Sequence, residues 1–269
     1  MGRAIIAGRG DLPGAIFAAD TSAVFVTMDG VAATVPDGAA VIQASFEKLG
    51  RLFSDLRAAE VDEIVMAGAM DRPSLNPARF DMKMVTLAPG LIKAFRAGDD
   101  GLLRKVISIF EAEGFTIISP ADVAPTLTCP AGSIAGPKPT KALLADAARA
   151  TEVLAALGSL DIGQAAVAAS GQVLGIETIQ GTDALLDFVS QTSGAKRGTG
   201  GVLVKAPKPG QDLRVDMPTI GPDTIDRAVA AGLKGLQIAA GSVLILGQEA
   251  VCAKAKSAGF SLWAVETLP

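Results

Sequence analysis

The chain has 269 residues, a net charge of −4 from 24 Lys and Arg against 28 Asp and Glu, and 49% hydrophobic residues. That length holds one large domain or two of ordinary size, the acidic balance argues against a nucleic-acid partner, and no stretch reaches the ~20 uninterrupted apolar residues of a membrane span. Neither histidine nor tyrosine occurs, which removes Ser-His-Asp and Cys-His catalysis, histidine-held zinc and histidine bases together.

An enzyme of this composition must move protons with Asp, Glu, Lys, Cys or metal-bound water. The start, MGRAIIAGRGDLPG, has too short an apolar run for a secretory signal, so a cytoplasmic protein is expected. Cys129 and Cys252 stand far apart with no CxxC spacing, which suggests two ordinary thiols rather than a disulfide or a thiolate metal site.

The first ~130 residues alternate strand and helix, the pattern of a parallel α/β sheet. Ala4 to Ala7 read as a strand ending in Gly8-Arg9-Gly10, and Val24 to Met28 as a second strand closed by Asp29-Gly30. From Ser45 to Glu60, Phe46, Leu49, Leu52, Phe53 and Leu56 keep helical spacing, with Ser45 as the expected N-cap. Glu63 to Ala67 form a third strand, followed by Gly68-Ala69-Met70-Asp71-Arg72-Pro73. A helix starts near Asp99-Asp100 and stops at Gly114, and Phe115 to Ile118 read as another strand.

Five prolines then crowd Ser119 to Thr140 and predict an inter-domain connection. The expected division is a Rossmann-like domain over 1–130, a linker over 131–139 and a second mixed α/β domain over 140–269 that carries the catalytic residues. The second half opens with an alanine-rich helix over Lys141 to Leu157. A hairpin follows: Ala165 to Ala169, the turn Ser170-Gly171, then Gln172 to Thr178. Gly181-Thr182-Asp183 begins a helix, Val202 to Lys205 form a strand, and Pro222 to Ala231 are helical. Leu236 to Ala239 and Val243 to Leu246 are expected to pair across Ala240-Gly241, before a last helix and strand.

Three regions carry candidate chemistry. Gly8, Gly10 and Asp11 lie in a turn spaced GxGxxxG, where glycines admit a phosphate to the backbone and a helix N-terminus favours the anion. With Asp29 at the end of strand two, the same turn also fits a nicotinamide cofactor, or a plain strand-to-helix turn. Asp99 and Asp100 read as helix-start acids or as nucleotide contacts. Asp161, Gln164, Glu177, Thr182 and Asp183 cluster around the hairpin, and acids converging there would bind a hard cation through oxygen.

The third region, KAPKPGQDLRVDMPTIG over Lys205 to Gly221, mixes Lys205, Lys208 and Arg214 with Asp212 and Asp216. Cations for phosphate oxygens beside carboxylates for a metal are what phosphoryl transfer needs. A solvated loop is the alternative. Thr219 and Gly221 close the stretch before a helix whose amides offer further anion contacts.

IAGRGDLPG, AGAMDRP, GDDGLLRKV, LDIGQ, ETIQGTD, VLVKAPKPGQDLRVDMPTIG and PDTIDRA follow one another through nearly the whole chain. This set, in this order, is similar to the LpxI-type UDP-2,3-diacylglucosamine pyrophosphatases of lipid A biosynthesis. The resemblance implies a Rossmann-like domain, a second domain of unusual α/β topology, and hydrolysis of UDP-2,3-diacylglucosamine to 2,3-diacylglucosamine 1-phosphate and UMP. It further implies a divalent cation, Mg2+ or Mn2+, and an essential aspartate in RVD-x-PTIG, here Asp216.

On that basis the expected metal ligands are Asp216, Glu177 and Asp183, and the catalytic set is Asp216, Lys205, Lys208 and Arg214. Gly8, Gly10, Asp11, Gly68, Asp99, Asp100, Gln164, Thr182, Thr219 and Gly221 are expected to bind substrate. Leu185, Leu186, Phe188 and Val189 are expected either to line an acyl groove or to belong to the core. The partner is a lipid-linked UDP-sugar, with no nucleic acid. Peripheral contact with the inner membrane and a homodimer are both compatible with such a substrate. A nicotinamide-dependent oxidoreductase and a non-catalytic UDP-sugar-binding module are the competing readings.

Overall fold

The structure, a computed structural model, describes residues 2–95, 99–158, 160–194, 198 and 200–266, without the side chains of 99 and 100. The chain forms two compact units: one runs to Pro125 and also takes in Asp212–Asp216, and the other comprises Thr126–Gln211 and Met217–Pro269.

In the first unit, β1 (Gly2–Ala7), β2 (Val24–Met28), β3 (Val41–Ala44), β4 (Val61–Ala67) and β5 (Thr116–Ile117) make one sheet in the order β3-β2-β1-β4-β5. All its pairings are parallel, with Ile5 beside both Phe25 and Val65. The helices are α1 (Leu12–Ala19), α2 (Leu49–Ala58), α3 (Met82–Phe95), α4 (Asp99–Ala112) and α5 (Pro120–Val123). Being parallel, the sheet must be covered on both faces, so its strands read as apolar runs. Under α2 and α4, Phe53 and Phe110 meet edge to face at 5.3 Å, with Phe115 beside them. Such aromatic pairs contribute about 0.5–1.5 kcal/mol beyond their buried area.

Two expectations change here. The helix drawn from Ser45 begins at Leu49, because β3 pairs with β2 and the chain needs 45–48 to turn. Ser45 is therefore not an N-cap; its hydroxyl donates to the Glu47 carboxylate, and both side chains are buried.

In the second unit, β6 (Gly132–Ala135), β7 (Ala165–Ala169), β8 (Gln172–Ile176), β9 (Val202–Lys205), β11 (Gly235–Ala239) and β13 (Ser261–Val265) form a mixed sheet ordered β6-β13-β11-β9-β7-β8. Its centre, β9, β11 and β13, is parallel, while β6, β7 and β8 join antiparallel. Two short strands, β10 (Thr219–Ile220) and β12 (Leu244–Ile245), pair separately. The helices are α6 (Lys141–Gly158), α7 (Gly181–Ser190), α8 (Pro222–Ala230) and α9 (Gln248–Ser257).

The expected pairing of 236–239 with 243–246 is overturned. β11 lies between β9 and β13, and β12 pairs with β10 instead. The reason is burial: every residue of β11 is buried, as befits an inner strand rather than an edge hairpin. The stretch read as a linker over 131–139 contributes β6, an edge strand paired with β13, a position that tolerates neighbouring prolines. The expected β7–β8 hairpin is present, and buried Asp146 of α6 accepts from the backbone amides of Ser170 and Gly171 at 3.1 and 2.7 Å across its turn. A buried polar chain also crosses this layer: Trp263 Nε1 donates to Gln237, whose Nε2 donates to Thr151.

Candidate active site

In the first unit the loops after β1 and β4 meet at the point where the strand order reverses, since β2 lies on one side of β1 and β4 on the other. Open α/β sheets bind ligands at such points. Gly8 donates its amide to Ala67 O at 2.7 Å, and Arg9 and Ala69 exchange two backbone hydrogen bonds. A Cβ on Gly8 would lie 2.6 Å from the carbonyl oxygens of Gly68 and Ala69, and one on Gly68, at φ +91°, would lie 2.6 Å from Arg9 O. The first glycine of the turn is therefore set by one backbone crossing another. Gly10 and Asp11 lie exposed before α1, and Asp11 occupies its N-cap position without a side-chain cap.

Arg9, an unusual residue for the middle of such a turn, makes a two-pronged pair with Asp71 of the AGAMDRP loop. Asp29 is exposed and lies 3.9 Å from Arg79. Asp99 and Asp100 begin α4, and their side chains lie outside the described residues.

In the second unit the candidate residues gather where β8 and β9 end and β7 begins. Lys205, the last residue of β9, is buried at 7% exposure. Its Nζ donates to Thr182 Oγ1 at 2.7 Å, and Thr182 Oγ1 in turn donates to Glu177 Oε2 at 3.2 Å. Thr182 reaches both because it sits in the first turn of α7, which follows β8 after a four-residue loop. Gln164 accepts the Ala206 amide at 2.9 Å through its backbone carbonyl. Gly163 packs on the Glu177 carbonyl, which a Cβ would meet at 2.2 Å. Lys208 forms an ion pair with Asp161.

The other expected residues go elsewhere. Asp183 faces Arg227 of α8 at 3.4 Å, and the same guanidinium takes Asp187 at 2.8 Å. Thr219 donates to Met217 O, and Gly221 is the N-cap residue of α8. Leu185, Leu186 and Val189 are buried in the core of this unit, whereas Phe188 is 61% exposed.

Asp216 belongs to the first unit. It ends a turn in which the amides of Val215 and Asp216 both donate to Asp212 O at 3.2 Å, and Val215 packs on the first unit's core. Arg214 forks onto Asp212 through Nε at 2.9 Å and Nη2 at 2.7 Å, and its Nη1 donates to Glu111 of α4 at 2.8 Å. The guanidinium holds the Asp212 carboxyl below the usual carboxylate range, and the two acids raise Arg214 further above an already high value. The basic loop seen in the sequence thus divides between the units: Lys205 and Lys208 stay with the second, Arg214 and Asp216 with the first.

Sequence reasoning missed Glu111 and Arg227. Arg227 had a signal, since Asp183 and Asp187 stand four residues apart on one helix face and need a cation between them. Among the described residues no group of three or more Asp, Glu, Cys or His side chains stands ready to hold a metal ion.

A parallel sheet in the order 3-2-1-4-5, with glycine loops at its reversal point, defines a Rossmann-like unit, here followed by a mixed-sheet unit holding a buried lysine. The LpxI N-terminal domain family matches residues 3–127, and the LpxI C-terminal domain family matches residues 130–263. The UDP-2,3-diacylglucosamine pyrophosphatase LpxI of Caulobacter vibrioides is 42% identical over 223 residues, covering 81% of this chain and 80% of that protein. The chain belongs to the LpxI family.

Proposed function

We propose that this protein is a UDP-2,3-diacylglucosamine pyrophosphatase of lipid A biosynthesis, which splits its substrate's diphosphate to 2,3-diacylglucosamine 1-phosphate and UMP. The observation that carries this is membership of one enzyme family across both halves of the chain, with a 42% identical relative that bears this activity in its name.

The geometry supports a division of labour. Lys205 offers a buried, pre-placed positive charge, the kind of group that stabilises charge developing on a phosphoryl oxygen. Lys208 lies in a partly exposed ion pair, which phosphate can replace at small cost. Asp216, the aspartate of the family's RVD-x-PTIG motif, orients or deprotonates the attacking water. A divalent ion, magnesium or manganese, is part of the proposal. Magnesium typically takes only one or two protein carboxylates and fills its shell with water and phosphate oxygens. Asp216 of the first unit and Glu177 of the second are each candidate carboxylates for that mode. Asp183, the third expected ligand, pairs with Arg227. When bound, the ion would offset charge on the diphosphate.

No helix among the described residues is long and apolar enough to cross a membrane. Access to a lipid substrate from the periphery of the inner membrane belongs to the same proposal. The test is incubation of the purified protein with UDP-2,3-diacylglucosamine, with magnesium or with chelator, following UMP. We expect UMP with the metal, little with chelator, and none from a folded Asp216→Ala variant. Near-normal turnover by that variant would remove Asp216 from the mechanism.

A further inference from the structure

Resting on the proposed role of Asp216, we infer that Arg214 is a positioning residue, and that Glu111 of α4 is the anchor through which it holds Asp216 in place. The segment 212–216 belongs to the first unit although the chain enters it from the second at Gln211 and returns at Met217. An excursion of five residues has too little length to fold by itself, so its conformation depends on what fastens it.

Three fastenings converge on it. The turn closes on itself through two amides bonded to Asp212 O. Val215 packs against the first unit's core. Arg214 provides the third: two of its nitrogens grip Asp212 inside the turn, and Nη1 reaches Glu111 at 2.8 Å, 103 positions away in the chain. A planar guanidinium held at both ends fixes orientation as well as distance, which a lysine in its place would not do. This contact ties the turn to α4 directionally. Asp216 follows Arg214 by two residues and shares its turn.

The same geometry argues against Arg214 as a direct phosphate contact. Asp212 and Glu111 already use Nε, Nη1 and Nη2. A diphosphate would find only two of the five guanidinium N–H groups uncommitted, with two carboxylates already beside them.

The test compares the full-length protein with Glu111→Ala, Glu111→Gln and Arg214→Lys variants. Glu111 is 46% exposed, so its loss should leave the fold intact, which circular dichroism checks. If Arg214 positions Asp216, Glu111→Ala lowers kcat roughly 3- to 10-fold with KM unchanged, as expected when a reacting group shifts by a fraction of an ångström. Glu111→Gln, which keeps an acceptor oxygen, recovers part of the loss. Amides 213–216 exchange hydrogen faster in Glu111→Ala than in the wild type, without substrate. Wild-type kcat in Glu111→Ala overturns the inference. So does a raised KM in Arg214→Lys while Glu111→Ala is silent, because Arg214 would then touch the diphosphate itself. A wild-type protein that releases no UMP overturns the proposed function and this role with it, whereas UMP release undisturbed by Glu111→Ala overturns the role alone.

Discussion

Replacing Lys205 with Met separates structure from function at the buried end of β9. The side chain is 7% exposed, and its neighbours Val202, Leu203, Val204 and Ala206 are exposed by at most 4%. Burying an ammonium costs several kcal/mol even after relaxation, and its hydrogen bonds, the one to Thr182 among them, return about 1.5–3 kcal/mol each. Met is unbranched and of similar length, so it fills the same space, and Thr182 keeps Glu177 as acceptor. These terms nearly cancel. Stability should change by no more than about 1.5 kcal/mol, a shift of roughly 3–6 °C in Tm for a chain of this size. Activity should respond differently, since removing one pre-placed donor from a developing oxyanion costs about 10²- to 10³-fold. Calorimetry and UMP release on the same preparation give both numbers. A variant that loses more than about 3 kcal/mol of stability while its folded fraction turns over normally would refute the reasoning and make Lys205 a structural cation.

Two other predictions concern stability. Gly8→Ala places a Cβ 2.6 Å from three backbone atoms that cannot rotate away. It should cost about 1–3 kcal/mol, whereas Gly14→Ala, helical and open at its Cβ, should gain about 0.5–1 kcal/mol; equal melting temperatures for the pair would contradict the backbone crossing. Acid should unfold the protein from the carboxylate side. Asp212 is held below its usual range chiefly by the Arg214 guanidinium, Glu113 by Lys83 and then Arg57, and Asp20 first by the Ser22 hydroxyl. Each contributes stability that is complete above the unfolded carboxyl pKa and is lost as pH falls through the lower, folded one, so Tm should fall below about pH 4. With no histidine in the chain, a Tm profile from pH 3 to 8 should be level above about pH 5; a step between 6 and 7 would point to another titrating group.

Much of the scaffold is legible from the sequence because local pattern and tertiary need agree. The β7–β8 hairpin is announced by Ser170-Gly171, and the first sheet by apolar runs ending in glycine. Where they diverge, the cause is long-range pairing. Val41–Ala44 carries too little alternation to mark a strand, and only its place beside β2 makes it β3. Leu236–Ala239 and Val243–Leu246 look like a hairpin locally, but burial on both faces sends the first to the sheet centre. Site residues follow the same rule. Lys205, Thr182 and Glu177 come together because Glu177 and Thr182 lie five residues apart across the β8–α7 loop, and β9 is separated from β8 in the sheet only by β7. The division of 205–221 between units is invisible to spacing, because it depends on Glu111 and on the first unit's core.

The expected cations of this histidine-free chain are neutralised to different degrees within their own units. The cations of the KAPKPGQDLRVD stretch differ in what they touch. Arg214 is held by two carboxylates, and Lys208 shares one with solvent nearby. A diphosphate competes poorly for a guanidinium already forked onto Asp212, because two carboxylates offset its charge and a bidentate pair is stronger than a single hydrogen bond. It competes well for Lys208, whose partner Asp161 is 41% exposed and is readily rehydrated. Affinity for phosphate should therefore be lower at Arg214 than at Lys208, the reverse of how firmly each is neutralised by carboxylate.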